Sequence, residues 1–190
     1  MLNQKVKELT HPAHQKAEGI VVRRMKAIRS EADYAEVLKC FYAYFNAVEQ
    51  VMSKFITEDI LPDLQERRDS SYIKTDIEEL GGSIDNLPPV QVPEINSALD
   101  AIAAMYVLEG SIMGGPYIVK MLERGGLTKG FSFFQGYGED SKKMWAGFIE
   151  VMNQLGEDHS THDQVIAVAN DTFKNFGEVF NASIVENKVT

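Results

Sequence analysis

The sequence predicts an all-α protein made of a single domain. Apolar residues recur at intervals of three and four through most long segments, which is the spacing of a helix with one buried face. No segment shows convincing alternation of apolar and polar residues, so no β-strand is predicted. The chain has 190 residues and 44% hydrophobic residues, enough for one sizeable core. We therefore predict one domain over residues 1–190, a bundle of seven or eight helices.

Composition excludes several classes of protein. The net charge of −9 argues against a nucleic-acid partner, because binding phosphates requires a basic surface. A single cysteine, Cys40, allows neither an intrachain disulfide nor a cysteine-rich metal site. The N-terminus has no apolar core typical of a signal peptide, and no apolar run approaches the ~18–20 residues that span a bilayer. We expect a cytoplasmic protein with no membrane partner.

The first 30 residues predict two helices separated by a break. Leu2, Val6 and Leu9 have helical spacing. Thr10 then precedes His11-Pro12, and proline disfavours a helical residue before it but is accepted in a first helical turn. A second helix is predicted from about Pro12.

Ser30 and Asp33 resemble a variant of the capping box, so a helix is predicted to follow them. Its apolar residues run from Tyr34 to Phe55, about six turns at 3.6 residues per turn. Cys40 lies within this helix. We interpret it as a small buried residue, because no histidine or aspartate lies near it in sequence to activate it.

The rest of the chain predicts shorter helices, loops and two further long helices. Gly81-Gly82 ends one short helix, and three prolines mark Leu87–Pro93 as a loop within the domain. Phe131–Gly138 is an aromatic loop without a regular period. The helical segments are Leu64–Arg68, Ile73–Leu80, 94–109, Tyr117–Arg124, 140–155 and 162–186, the last with Ile184 facing the core.

Residues 105–120, MYVLEGSIMGGPYIVK, combine helical spacing with three glycines and Pro116. Glycine costs a helix interior up to ~1 kcal/mol and proline ~3 kcal/mol, so their presence among apolar residues needs a reason. One interpretation is a bent helix whose bare backbone lies against something large and flat. The other is a helix that stops at Glu109 or Gly110, a glycine turn, and a new helix near Pro116. The stretch alone favours the second interpretation.

His14 is the most informative titratable residue. Glu18 lies four residues later and therefore on the same helical face. A carboxylate in that position can orient a histidine that binds a metal, although an exposed His–Glu pair has the same spacing. His11 is an alternative ligand or a polar group at the edge of a pocket.

His159 and His162 are three residues apart in an acidic, polar stretch. This is typical of a metal motif, but no partner helix with Glu-x-x-His is found elsewhere. The alternative is a solvated helix start capped by Ser160 or Thr161.

Positive charge is concentrated in the first 30 residues, which contain seven of the 19 lysines and arginines. Such a cluster could hold anionic groups or could be a solvated face. The same two interpretations apply to Lys142-Lys143. The segment GSIMGGP does not match a phosphate-binding loop, because it lacks Lys-Ser/Thr and follows no strand.

Two motifs resemble those of the haem oxygenases. KELTHPAHQKAE, with Thr10, His14 and Glu18, resembles the proximal-helix signature of that family. YVLEGSIMGG resembles its glycine-rich distal helix, particularly in the bacterial branch often paired with bacteriophytochromes. ERRDSSYIKTDIEELG and FFQGYGEDSKKMWAGF are also similar to that branch, so the resemblance covers nearly the whole chain in the right order.

The resemblance implies a compact all-α fold with haem held between the first and the glycine-rich helices. His14 would be the proximal iron ligand, with Glu18 beside it. Gly110, Gly114 and Gly115 would let the distal backbone lie against the porphyrin. Haem would be both substrate and cofactor.

The implied reaction opens haem to biliverdin, carbon monoxide and ferrous iron, using oxygen and electrons from a separate reductase or ferredoxin. Animal members of the family carry an aspartate at the position of Ser111, where it organises water for proton delivery. By resemblance, Ser111 belongs with the glycines of the catalytic distal segment.

The resemblance also bears on the propionates of haem. Lys7 and His11 occupy positions where the family places basic residues near them. A helix that supplies a propionate-binding arginine in animal members has Ile149 at the aligned position. The propionates would therefore have to be held differently, for example by Lys142 or Lys143.

Two other hypotheses remain. A non-catalytic haem binder or carrier on the same fold is suggested by Ser111. A thiaminase-like hydrolase would need Cys40 as a nucleophile in the pocket.

Overall fold

The computed structural model describes the backbone of residues 1–186 and the side chains of residues 1–181. Within that part the chain is all-helical, which confirms the predicted fold class. Ile184 lies outside the described side chains. Short 3-10 segments cover Leu64–Glu66, Gly138–Asp140 and His159–Thr161. The α-helices are α1 Leu2–Leu9, α2 His11–Ala27, α3 Glu31–Met52, α4 Ser70–Glu79, α5 Ala98–Arg124, α6 Ser141–Leu155 and α7 His162–Glu186.

The predicted break between α1 and α2 is confirmed at Thr10. Its backbone N–H and its hydroxyl both donate to the carbonyl of Val6, at 2.9 and 2.7 Å. Pro12 lies in the first turn of α2, where its missing N–H costs nothing. The two helices thus meet at a capped junction.

The predicted cap of α3 is also confirmed. The Ser30 hydroxyl accepts a hydrogen bond from the Asp33 N–H at 3.1 Å, and the Asp33 carboxylate accepts from the Arg29 N–H at 2.9 Å. The helix ends at Met52, three residues before the predicted Phe55.

Aromatic side chains of α3 and α7 form the centre of the core. Phe41 contacts the rings of Phe45, Phe134, Phe176 and Phe180, with centroids 5.1 to 5.9 Å apart. Edge-to-face pairs of this kind add about 0.5–1.5 kcal/mol beyond the area they bury. This cluster fixes α7 beside α3 and so supports one side of the cleft described below.

α5 runs without interruption for 27 residues, through all three glycines and Pro116. The alternative of two helices separated by a glycine turn is therefore wrong. The helix begins at Ala98 rather than at 94, because the Ser97 hydroxyl accepts from the Asp100 N–H at 3.1 Å and caps it there. Packing against α3, α6 and α7 offsets the intrinsic cost of glycine and proline.

α5 is also long and apolar enough to cross a membrane, with a mean hydropathy of 1.3 over its best 18-residue window. This differs from the expectation that no such run exists. Half of that window is buried against the other helices, and a core helix passes the same test of length and composition. We interpret α5 as the central helix of the fold.

The aromatic loop after α5 is held by side chains from α3 and α4. The Tyr34 hydroxyl donates to the Gly130 carbonyl at 2.7 Å. The buried Asp76 carboxylate accepts from the backbone N–H groups of Ser132 and Phe133 at 2.8 and 2.9 Å. Phe133 and Phe134 are consequently fixed in the core against α5.

Candidate functional site

A cleft of about 660 Å³ lies between α2 and α5, with α1, α3, α6 and α7 contributing to its walls. Most of its lining is apolar. The aromatic and aliphatic lining residues are Ala17, Val21, Val22, Phe41, Phe45, Tyr106, Val107, Met113, Tyr117, Ile118, Trp145, Phe173 and Phe176.

His14 lies on the α2 wall of this cleft. Its ring is edge-on to Phe173, with ring centroids 5.3 Å apart and an interplanar angle of 79°. Glu18 also lines the cleft, as its spacing predicts. In the part of the chain that the structure describes, however, neither ring nitrogen of His14 is hydrogen-bonded, so the imidazole is available to a ligand.

The opposite wall is the glycine-containing face of α5. A Cβ atom added at Gly114 would meet no atom within 4 Å, and one added at Gly110 would lie 3.8 Å from the Trp145 ring. Ser111 lies between them along the helix and lines the same cleft. Its hydroxyl donates to the Leu108 carbonyl at 2.6 Å, so its proton is already engaged by the helix backbone.

Gly115 is not on this wall. A Cβ atom there would lie 2.0 Å from the carbonyl oxygen of Phe134, so the glycine permits close packing of the aromatic loop. Successive helical residues point about 100° apart, and the two adjacent glycines therefore serve different neighbours. Gly115 therefore packs against the aromatic loop behind the cleft. The sequence motif had grouped it with Gly110 and Gly114, which line the cleft.

Of the basic residues predicted to hold the propionates, two line the cleft and two do not. Lys7 and His11 line the cleft. Lys142 and Lys143 are exposed on α6 and are not part of its lining, because that helix turns Trp145 towards the cleft instead. The expectation that either lysine holds a propionate has no support in this arrangement.

Trp145 is the main contributor that sequence reasoning missed. Its ring lies 5.4 Å from that of Tyr106, which is half-buried on α5. Apolar helical spacing places both rings on inward faces, but spacing alone does not separate a residue facing the core from one facing a cleft. Burial raises the pKa of the Tyr106 hydroxyl above its ordinary value.

The second pair of histidines lies elsewhere. His162 is buried, with Nε2 2.8 Å from the Gly156 carbonyl. The Asp158 carboxylate caps the 3-10 segment His159–Thr161 by accepting a hydrogen bond from the Ser160 N–H. Among the described residues there is no group of three histidine, cysteine or acidic side chains arranged to hold a metal ion. The structure therefore gives no support to a metal motif here.

Cys40 is buried in α3, with its sulfur 3.8 Å from the Glu36 carbonyl, and it does not line the cleft. A hydrolase using this thiol as a nucleophile would have no access to the pocket.

A smaller cavity of about 310 Å³ lies between α3, α5 and the 64–69 segment. Glu49 lines it and accepts hydrogen bonds from the Ser70 N–H at 3.0 and 3.1 Å and from the Ser70 hydroxyl at 2.5 Å. Burial raises the pKa of the Glu49 carboxyl to about 7, and the hydrogen bonds from Ser70 only partly oppose that effect.

Replacing Glu49 with glutamine is expected to make stability less sensitive to pH. Above the pKa of 4.5 in the unfolded chain, unfolding releases a proton that the folded protein retains up to about pH 7. The wild type should therefore lose stability as pH rises from 4.5 to 7, by about 1–3 kcal/mol relative to Glu49→Gln. Urea unfolding at pH 5, 6, 7 and 8 measures this difference, and parallel pH profiles for the two proteins would contradict it.

The cleft meets the chemical requirements of a haem site. Its walls are apolar and aromatic, one side presents an imidazole, and the other presents bare backbone at Gly110 and Gly114. Lys7 supplies a positive charge for carboxylates, and His11 adds a polar ring to the lining. The residues present therefore fit a flat, apolar macrocycle with an iron atom and acidic substituents.

Comparison with known proteins agrees with this geometry. The Heme oxygenase family model matches residues 1–182. A haem oxygenase of Xanthomonas campestris pv. campestris is 28% identical over 145 residues, covering 75% of this chain and 86% of the relative.

Solved structures of bacterial haem oxygenases share the fold. The NO- and CO-bound enzyme of Neisseria meningitidis superposes with a TM-score of 0.77 at 19% identity, covering 95% of this chain and 90% of the other. Haem oxygenase-1 of the cyanobacterium Synechocystis, in complex with haem, gives 0.73 at 22% identity, covering 100% and 99%. The Leptospira interrogans enzyme gives 0.75 at 19%, covering 94% and 98%. With a family match over almost its whole length, the chain belongs to the haem oxygenase family.

Proposed function

We propose that haem binds in the cleft between α2 and α5 and is opened there to biliverdin, carbon monoxide and ferrous iron. Haem oxygenase function follows from the family, and a haem carrier without turnover is not favoured. The observation that carries the proposal is the placement of His14 opposite Gly110 and Gly114 across one apolar cleft. Bound haem would supply the iron at which oxygen reacts, and this chain would hold the haem, exclude water and position protons.

His14 is proposed to bind the iron through its imidazole. A neutral histidine ligand keeps the site distinct from thiolate-ligated haem, which favours O–O cleavage. Phe173 limits rotation of the ring by its edge-on contact. Glu18, on the same wall, is proposed to orient the imidazole once the substrate has excluded bulk water.

The α5 wall is proposed to exclude water and to limit access to the macrocycle. Gly110 and Gly114 allow the backbone to approach it closely. Because the Ser111 hydroxyl donates to the Leu108 carbonyl, its oxygen is left to accept a hydrogen bond from water in the cleft. We propose that protons reach the site through such water rather than from the Ser111 hydroxyl itself.

Lys7 and His11 are proposed to hold the propionates. The reaction consumes electrons, and we propose a separate reductase or ferredoxin as their source. The same proposal has three further parts. The protein supplies biliverdin to a bacteriophytochrome, it is located in the cytoplasm, and residues 1–190 form a single domain.

The test is to mix the purified protein with one equivalent of hemin, then add an electron source under air with catalase present to remove free peroxide. The Soret band should disappear as biliverdin absorption grows. A Soret band that forms and then remains under these conditions would reject turnover. Absence of any Soret complex would reject haem binding in the cleft.

A further inference from the structure

A buried ionic cluster lies behind the α5 wall of the cleft. The Arg67 and Glu109 side chains are 2% and 4% exposed, and the Arg67 Nη1 donates to the Glu109 Oε2 at 3.0 Å. The guanidinium also donates to both carboxylate oxygens of Asp63, from Nε at 2.8 Å and from Nη2 at 2.7 Å. This network joins the 61–67 segment to the middle of α5.

The same cluster reaches α6 and the aromatic loop. The Arg67 Nη2 donates to the Met144 carbonyl at 3.1 Å. The Tyr137 hydroxyl donates to the Glu109 Oε1 at 2.9 Å and accepts from the Arg68 N–H at 3.0 Å. Four separate segments are therefore held by one set of directional bonds.

The bonds end one residue away from the cleft on two helices. Glu109 immediately precedes Gly110 on α5, and Met144 immediately precedes Trp145 on α6. Gly110 and Trp145 both line the cleft, and a Cβ atom at Gly110 would lie 3.8 Å from the Trp145 ring. The cluster thus fixes the separation between the two groups that form this part of the wall.

Stability alone is a weak explanation for such a cluster. Removing two charges from water is costly, and well-packed apolar residues often stabilise a core equally well. The arginine fork instead fixes distances and angles, because its planar donors match carboxylate oxygens in one geometry.

We propose that the Arg67–Glu109 pair is a positioning device that sets the α5–α6 wall and thereby selects the edge of bound haem that is opened. This inference rests on the proposed function. Arg67 and Glu109 touch neither the cleft nor its contents, so they act through Gly110 and Trp145. Loosening the pair lets that wall shift, and the macrocycle then presents more than one edge to the reaction.

Three changes test the proposal. Arg67→Met with Glu109→Leu removes both charges together, which avoids leaving one buried charge unpaired. Tyr137→Phe keeps the ion pair but removes its bond to the loop. Arg67→Lys keeps the charge but loses the fork. Lys74→Met with Glu78→Leu makes the matched double change at an exposed ion pair on α4.

Two measurements are made on each variant that retains the wild-type helical signal and a cooperative melt. Soret circular dichroism of the ferric hemin complex reports how the macrocycle lies before any turnover. Chromatography of the product gives the ratio of biliverdin isomers, which should change about tenfold in the double variant, since such a ratio needs only about 1.4 kcal/mol between competing transition states. The Tyr137→Phe and Arg67→Lys variants should change in the same direction, and the α4 control should match the wild type.

The proposal is overturned if the folded variants keep both the wild-type dichroism and the wild-type isomer ratio. It is also overturned if the α4 control changes as much as the buried pair. Wild-type protein assayed in parallel distinguishes failure of the proposed function from failure of this inference. If the wild type binds hemin but does not convert it, the proposed function is rejected. The Soret dichroism of the variants then still shows whether the Arg67–Glu109 pair positions the macrocycle.

Discussion

Replacing His14 with alanine is expected to lower biliverdin formation by at least about 100-fold, a loss of about 2.7 kcal/mol in transition-state stabilisation. The reason is that the proposed iron ligand is the His14 imidazole, and the methyl side chain of alanine has no atom that can bind a metal. The substitution should leave the fold intact, because the ring is exposed to the cleft rather than buried in the core. Hemin titration should give an altered, weaker Soret complex.

His159→Ala is the matched control for that experiment. His159 is an exposed imidazole in the 3-10 segment before α7 and does not line the cleft. It should bind and convert hemin as the wild type does. An unchanged Soret band and unchanged turnover in His14→Ala would remove the central residue of the account.

Replacing Gly114 or its neighbour Gly115 with alanine should have opposite effects on the free energy of unfolding. Gly115→Ala places a Cβ 2.0 Å from the Phe134 carbonyl oxygen, in a loop that the Asp76 carboxylate holds through two backbone N–H groups. The loop cannot yield easily, so the loss of stability should exceed about 2 kcal/mol despite the better helix propensity of alanine. Thermal or urea unfolding measures this loss.

Gly114→Ala is expected to fold as well as the wild type or better, with a gain of up to about 1 kcal/mol from helix propensity. Its Cβ meets no atom within 4 Å apart from the neighbouring backbone of α5, and Gly114 lines the cleft. Hemin affinity should fall at least about tenfold, equivalent to about 1.4 kcal/mol, because the macrocycle can no longer approach the backbone. Equal hemin affinity in Gly114→Ala and wild type would contradict the proposed position of haem.

The features that the sequence predicted well are those decided locally. The break at Thr10 and the cap at Ser30 each depend on residues within four positions of one another, and both are present in the structure. The two motifs around His14 and Gly110 were also recognisable, because the family places them at fixed points of the chain. Their meeting across one cleft was implied by that resemblance and not by spacing.

The remaining features depend on contacts between distant residues. The continuity of α5 through Pro116 reflects its packing against three other helices, which a local propensity cannot include. The different neighbours of Gly114 and Gly115 depend on where the aromatic loop lies. Likewise, Arg67 and Glu109 are 42 residues apart, and nothing in the sequence pairs them.

The most direct test is a crystal structure of the protein with ferric hemin. We predict a macrocycle lying between α2 and α5, with an imidazole nitrogen of His14 bonded to the iron and the backbone at Gly110 and Gly114 against the other face. A macrocycle bound elsewhere, or an iron ligated by another residue while the His14 ring points into solvent, would contradict it.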